Sequence, residues 1–163
     1  MADTESGPLA APAERALVDL IPHRFDPRVR NLLAAALGVS ADAVVQQELD
    51  AYIDAPMRRL LGFLENRVPV ALIGLDFIGE HSAIVLHVAV AQEERRAGIG
   101  RQMVWSAAAR YGLERMSAAG DPVSAGFFRT LGFCVRSVGE TLPGLERFEC
   151  VWHASMKDDD DGG

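Results

Sequence analysis

The chain has 163 residues, 49% of them hydrophobic, and a formal net charge of -7. That length suits one domain, able to bury about two thirds of its unfolded surface without disulfides or metals. The negative balance disfavours a nucleic-acid surface, which needs clustered positive charge, and no apolar run approaches the roughly 20 residues that cross a bilayer. A soluble protein is expected.

Residues 1–15, MADTESGPLAAPAER, have neither a basic start nor a long apolar segment and read as a loose tail rather than a secretory leader. The predicted domain spans 16–156, and the closing KDDDDGG, 157–163, is a self-repelling acidic tail. Asp26 and Pro27 form an N-cap and first helical position, and Gly38 a stop, so FDPRVRNLLAAALG is a predicted helix. A second begins at Ser40, with Val45, Leu49, Tyr52 and Ile53 at helical spacing. No strand is read before these helices. The period then changes: RRLLGFLE, the turn residues Asn66 and Arg67, VPVALIGLDF, a turn in IGEH and SAIVLHVAV predict a three-stranded antiparallel meander.

A helix follows from about Gly98 to Tyr111, ending near Gly112. LERMSA is a short strand, Asp121 and Pro122 open a helix that Gly132 closes, and FCVRSVGE and ERFECVW are strands around Pro143 and Gly144. The expected fold is a mixed α/β sheet with helices on both faces. Cys134 and Cys150 have no CxxC spacing and no histidine pair nearby, so no metal site is expected, and free thiols in a reducing cytoplasm are.

The stretch EERRAGIGRQM, Glu93 to Met103, sets two glycines and three arginines at the mouth of a helix. A helix N-terminus leaves about four N–H groups unpaired and carries partial positive charge. Glycines there give an anion direct access to those amides. A Walker A loop would need Lys and Ser or Thr after Gly100, where Arg101 and Gln102 stand, and a dinucleotide fingerprint would need a small residue at Met103. Both nucleotide readings fail on residues.

Together with the later run AGFFRTLGF, the loop Arg95 to Gly100 resembles the GNAT family of acetyl-CoA-dependent N-acyltransferases over roughly residues 58–153. Those proteins pair a strand, an Arg/Gln-x-x-Gly-x-Gly/Ala loop and a helix with a later helix ending in a pattern like FYxxxGF. The resemblance implies a mostly antiparallel central sheet, acetyl-CoA as cofactor and transfer of the acetyl group to a primary amine of a small molecule or protein. It implies that Val88, Ala89 and Val90 present backbone to the pantetheine arm and thioester, and that Arg95, Arg96, Ala97, Gly98, Ile99, Gly100 and Arg101 hold the pyrophosphate. The negative chain suits a cationic acceptor; dimers are common in such folds, which admits a homodimer, while the sequence itself leaves the oligomeric state open.

Two departures matter for catalysis. The glutamate that some relatives carry in the fourth strand falls on Ile84, which leaves Asp76, Glu80 and His87 as the candidate bases; His87 shares its face with Val85 and Ala89, so packing competes with catalysis. The tyrosine that protonates the departing thiolate falls on Phe128, which has no proton to give, and leaves Ser124 or a water as candidate acid. Tyr52 and Met57 are candidate groove residues. These departures also motivate an alternative, an acetyl-CoA-binding sensor module with reduced or lost catalysis.

Overall fold

A computed structural model describes residues 15–95 and 98–155. In chain order the elements are β1 (Leu17–Asp19), α1 (Pro27–Leu37), α2 (Asp42–Asp54), β2 (Arg58–Glu65), β3 (Val68–Gly79), β4 (Ser82–Val90), α3 (Ile99–Arg110), β5 (Arg115–Gly120), α4 (Pro122–Thr130), β6 (Cys134–Leu142) and β7 (Leu145–His153). The seven strands form one sheet in the order β1-β2-β3-β4-β5-β7-β6. Every junction is antiparallel except β4–β5, where α3 carries the chain back to start a parallel neighbour.

The predicted meander is β2-β3-β4, and its first turn carries positive φ at Asn66 (52°) and Arg67 (67°). Asp26 caps α1 by accepting from the Arg28 N–H at 2.8 Å, and Gly38 ends it in the left-handed region at φ 70°. Three expectations are corrected. A strand, β1, does precede the helices; its three residues pair antiparallel with Leu61–Phe63 and carry too little alternation to be read. Helix α2 starts at Asp42 rather than Ser40, with Ala41 as a cap that has no side-chain bond. Strand β5 runs Arg115–Gly120 rather than from Leu113. Of the expected tail, Arg15 is described, and its guanidinium bridges Glu65 at 2.7 Å and Gln102 at 2.9 Å; residues 1–14, like the acidic tail 157–163, lie outside the described residues.

The sheet divides the core in two. One layer packs α1 and α2 through Val29, Leu33, Val45, Leu49 and Tyr52 onto Leu60, Leu72 and Ala89. The other packs α3 and α4 through Ile99, Met103, Val104 and Phe128 onto Phe63, Ile73, Leu75 and Val85. Strand β3 is buried continuously from Pro69 to Leu75, as a strand covered on both faces must be. Ile53, expected to pack, is instead 48% exposed on α2.

Close backbone approach fixes Gly62. A Cβ there would stand 2.1 Å from the Ala71 carbonyl oxygen and 2.6 Å from Leu20 Cδ1. The backbone oxygen cannot move without parting β2 from β3. Gly62→Ala is therefore expected to cost about 3 kcal/mol, whereas Gly79→Ala, whose nearest neighbour is 4.0 Å away, should stay within about 0.5 kcal/mol of the parent. Urea unfolding of the two variants checks this; equal midpoints would refute it.

Candidate active site

Strands β4 and β5 are in register for three pairs only, Ser82 with Arg115, Ala83 with Met116 and Ile84 with Ser117. Beyond Ile84 they part, and a cleft of about 660 Å³ opens between Val85–Val90 on one side and Ala119 with α4 on the other. A bulge at Leu86 precedes it, since Gly74 pairs with His87 but Leu75 with Val85. The ladder beyond shows which backbone groups face the cleft. The Ala91 N–H bonds the Val70 carbonyl at 2.8 Å, so the Val90–Ala71 and Val88–Ile73 pairs are of the non-hydrogen-bonded kind. Val88 and Val90 thus turn N–H and C=O toward the cleft, while those of Ala89 turn back to β3.

At the far end of β4 lies the start of α3. Gly98 caps it at φ 75°, and a Cβ there would meet nothing within 4 Å. Among the described residues the Gln102 N–H is the first in α3 to bond back, to Gly98 O at 3.0 Å, and the amides of Ile99, Gly100 and Arg101 belong to the first turn, whose N–H groups have no partner within the helix. Gly98 is a glycine for its backbone. Gly100 is one for packing: a Cβ would meet the Phe127 ring at 3.2 Å and Val90 Cγ2 at 3.4 Å. Both glycines line the cleft, Gly100 with this packing reason added to the one read from the sequence. The arginines are also tied to backbone. Arg95 Nε donates to Val90 O at 3.2 Å and Arg101 Nη1 to Thr130 O at 3.0 Å. Arg96 and Ala97 lie outside the described residues.

Helix α4 closes the opposite wall. Phe128 is buried, with Phe127 and Phe133 at ring-centroid distances of 5.2 and 5.0 Å. Ser124 lines the cleft, and its N–H bonds the Asp121 carboxylate at 2.8 Å. That backbone bond, first of all, holds the Asp121 carboxyl below its usual range.

On the α2 side of the bulge a polar cluster is assembled from four elements. His87 Nδ1 lies 2.5 Å from the Tyr52 hydroxyl and its Nε2 3.7 Å from Glu48 Oε2. Arg58 stands 3.5 Å from Glu48 and 3.8 Å from Asp76. Gly74 makes this possible, because a Cβ there would fall 1.7 Å from the Tyr52 oxygen. Burial pushes the His87 imidazole below its ordinary value, with Glu48 opposing, and pushes the Tyr52 phenol far up.

Of the four predicted catalytic residues, His87 and Ser124 border the cleft and Asp76 and Glu80 do not. Asp76 sits directly across from Ile84, one strand away from where the resemblance puts a glutamate, and is paired with Arg58. Glu80 is at the hairpin tip beside His81, with its side chain 93% exposed. Tyr52, expected in a groove, is buried against Gly74, and Met57 is exposed. Glu48 and Arg58 were missed. Neither has a local motif, and the fold alone brings them to His87.

The buried imidazole has a consequence for stability. Its folded-state pKa is depressed, so the unfolded chain takes up a proton that the fold refuses as pH falls below about 6.5, and stability is lost from there down to the folded value. The slope is at most about 1.4 kcal/mol per pH unit. His87→Gln should flatten it, by at most about 1.4 kcal/mol in total between pH 7.5 and 5.5 in urea titrations. Parallel slopes in parent and variant would contradict the assignment.

Three solved structures place this geometry among known proteins. An acetyltransferase from Thermus thermophilus matches with TM-score 0.66 at 20% identity, over 85% of this chain and 96% of that one. A GNAT family acetyltransferase from Elizabethkingia anophelis with acetyl-CoA bound matches with TM-score 0.62 at 15% identity, over 87% and 99%. An aminoglycoside 6'-N-acetyltransferase complexed with coenzyme A matches with TM-score 0.65 at 13% identity, over 85% and 97%. No curated protein sequence matches the chain. At such identities the structures speak for the fold; the sequence profile of the acetyltransferase (GNAT) family matches residues 27–133 directly, and the chain belongs to that family.

Proposed function

We propose that the protein transfers an acetyl group from acetyl-CoA to a primary amine of a small molecule or protein by direct attack in a ternary complex. One observation carries this reading: a single cleft joins the first turn of α3, an unpaired edge of β4 and a buried imidazole. Bound there, acetyl-CoA supplies an activated thioester. The residues fit a long anionic donor, since the open, left-handed Gly98 leaves the helix mouth bare and Val88 and Val90 offer amide edges beside it.

In this reading the pyrophosphate is held by the amides of Gly98, Ile99, Gly100 and Arg101, with Arg96 and Ala97 completing the loop. Arg95 braces the strand end through Val90 O and adds positive charge. The Val88 N–H is the group aimed at the developing oxyanion, a role worth about a hundredfold or more. An amine of pKa about 10.4 must lose a proton at a cost near 4.6 kcal/mol at pH 7. His87 is the proton acceptor best placed to take it, ahead of Asp76 and Glu80, because it borders the cleft and is neutral.

The acid side is bare. Phe128 has no proton to give, and Ser124 sits in the Asp121 cap of α4 through its N–H. A thiol with pKa about 8.5 leaves tolerably unassisted, so proximity and carbonyl polarisation carry the step. Phe128 also favours the second reading, a module that binds acetyl-CoA and transfers slowly or not at all. Thiol release from acetyl-CoA over alkylamines, polyamines, an aminoglycoside and peptide N-termini, alongside calorimetric titration of coenzyme A, decides between them. Amine-dependent release is expected, greatest for cationic amines; binding without release would favour the sensor, and absence of binding would end both. Ser124→Ala should leave turnover within about twofold, where a true general acid would cost a hundredfold.

A further inference from the structure

We propose that Glu48 of α2, together with Nε2 of His87, forms the docking point for the acceptor's ammonium group. The inference rests on the acetyltransferase reading for its chemistry, and on the polar cluster for its place. Glu48 Oε2 and His87 Nε2 face each other there. Glu48 Oε2 lies 3.7 Å from His87 Nε2, too far for an N–H···O bond between them. It lies 3.5 Å from Arg58, again beyond a good hydrogen bond. The His87 side chain is only 9% exposed, and its other nitrogen is taken by Tyr52.

With the proton on Nδ1 and donated to the Tyr52 oxygen, Nε2 presents a lone pair toward the Glu48 carboxylate. A lone pair and a carboxylate oxygen at this separation repel each other until a cation with N–H donors is placed against both. An ammonium nitrogen about 2.8 Å from each spans a gap of 3.7 Å with two of its hydrogens. The charge balance points the same way. The groups that face His87 are Glu48 and Tyr52 from α2, Arg58 from β2 and, through Arg58, Asp76 from β3, so one guanidinium is divided between two carboxylates. Glu48 stays 27% exposed and reachable.

The step then balances. The ammonium gives one proton to Nε2, its nitrogen keeps the electron pair and forms the bond to the acetyl carbon, the C–S bond breaks with sulfur leaving as thiolate, and the second proton, still on nitrogen after the attack, is lost to water as the amide forms. The proton on the imidazolium, held by Glu48, passes to the thiolate or to solvent. Glu48 supplies the carboxylate that is lacking at Ile84, from a helix instead of the strand. Tyr52 is a positioning residue: it holds the ring through Nδ1.

Long-range proton–nitrogen spectra of His87 in the full chain, with butylammonium chloride as probe, test this without turnover. The neutral ring should carry its proton on Nδ1, and the probe should shift the Nε2 resonance in the parent but not in Glu48→Gln; tetramethylammonium, which has no N–H, should do nothing. A ring protonated at Nε2, or a shift that persists in Glu48→Gln, overturns the proposal. In the kinetic arm, Glu48→Gln should raise KM for the best amine roughly tenfold or more with coenzyme A affinity unchanged, and Glu48→Asp should recover part of it. An unchanged KM overturns the proposal as well. Failure of the acetyltransferase reading looks different: no amine turns over in the parent, while the spectra still decide whether the ammonium docks.

Discussion

Strand β4 has a partner along one edge for its whole length and along the other only as far as Ile84. Past that point the sheet exposes main-chain donors and acceptors inside the molecule, where an unpaired group costs about as much as a lost hydrogen bond. A fold tolerates such an edge only if something satisfies it. Here the chain uses Arg95 to close off Val90 O and leaves Val88 facing the cleft. The rest of the site is arranged around that edge. The bulge at Leu86 puts His87 on the α2 side while keeping Val88 in register, the α3 terminus stands at the strand's end, and α4 supplies a largely apolar wall.

The wall explains residues that looked like departures. Phe127, Phe128 and Phe133 stack edge to face or tilted, and Gly100 lacks a side chain so that the Phe127 ring can rest on the first turn of α3. An aromatic lining lowers the local dielectric, and that strengthens every interaction the helix mouth makes with an anion. A hydroxyl at position 128 would have to find a partner among these rings. Phenylalanine makes no such demand.

Much of the architecture was legible because it is written locally. The Asp26 and Asp121 caps, the left-handed Gly38, the Asn66–Arg67 turn and the alternation of β2 to β4 are each decided within a few residues. The parting of β4 from β5 was legible only through resemblance, since nothing in SAIVLHVAV says where pairing stops. Strand β1 escaped because three residues carry no period. Glu48 escaped for a different reason: in DAVVQQELDAYID it reads as one more polar residue flanking the Val45, Leu49 and Tyr52 stripe. Its place depends on α2 crossing the sheet at Gly74, where the missing side chain admits the Tyr52 hydroxyl.

That crossing links stability to chemistry. Placing a phenol and an imidazole under a helix costs desolvation for both, and each is held neutral by it, the phenol by a raised pKa and the imidazole by a lowered one. Neither charge forms easily, so the two settle on each other, and the hydrogen bond between them fixes the ring plane. The charged members of the cluster, Glu48, Arg58 and Asp76, stay a quarter to a third exposed at its rim. A neutral ring behind a charged rim is an arrangement in which a proton is attracted to the site and not kept there. The role proposed for His87, a base that releases its proton at every turnover, calls for both properties, and burial beside a partly exposed carboxylate supplies them together.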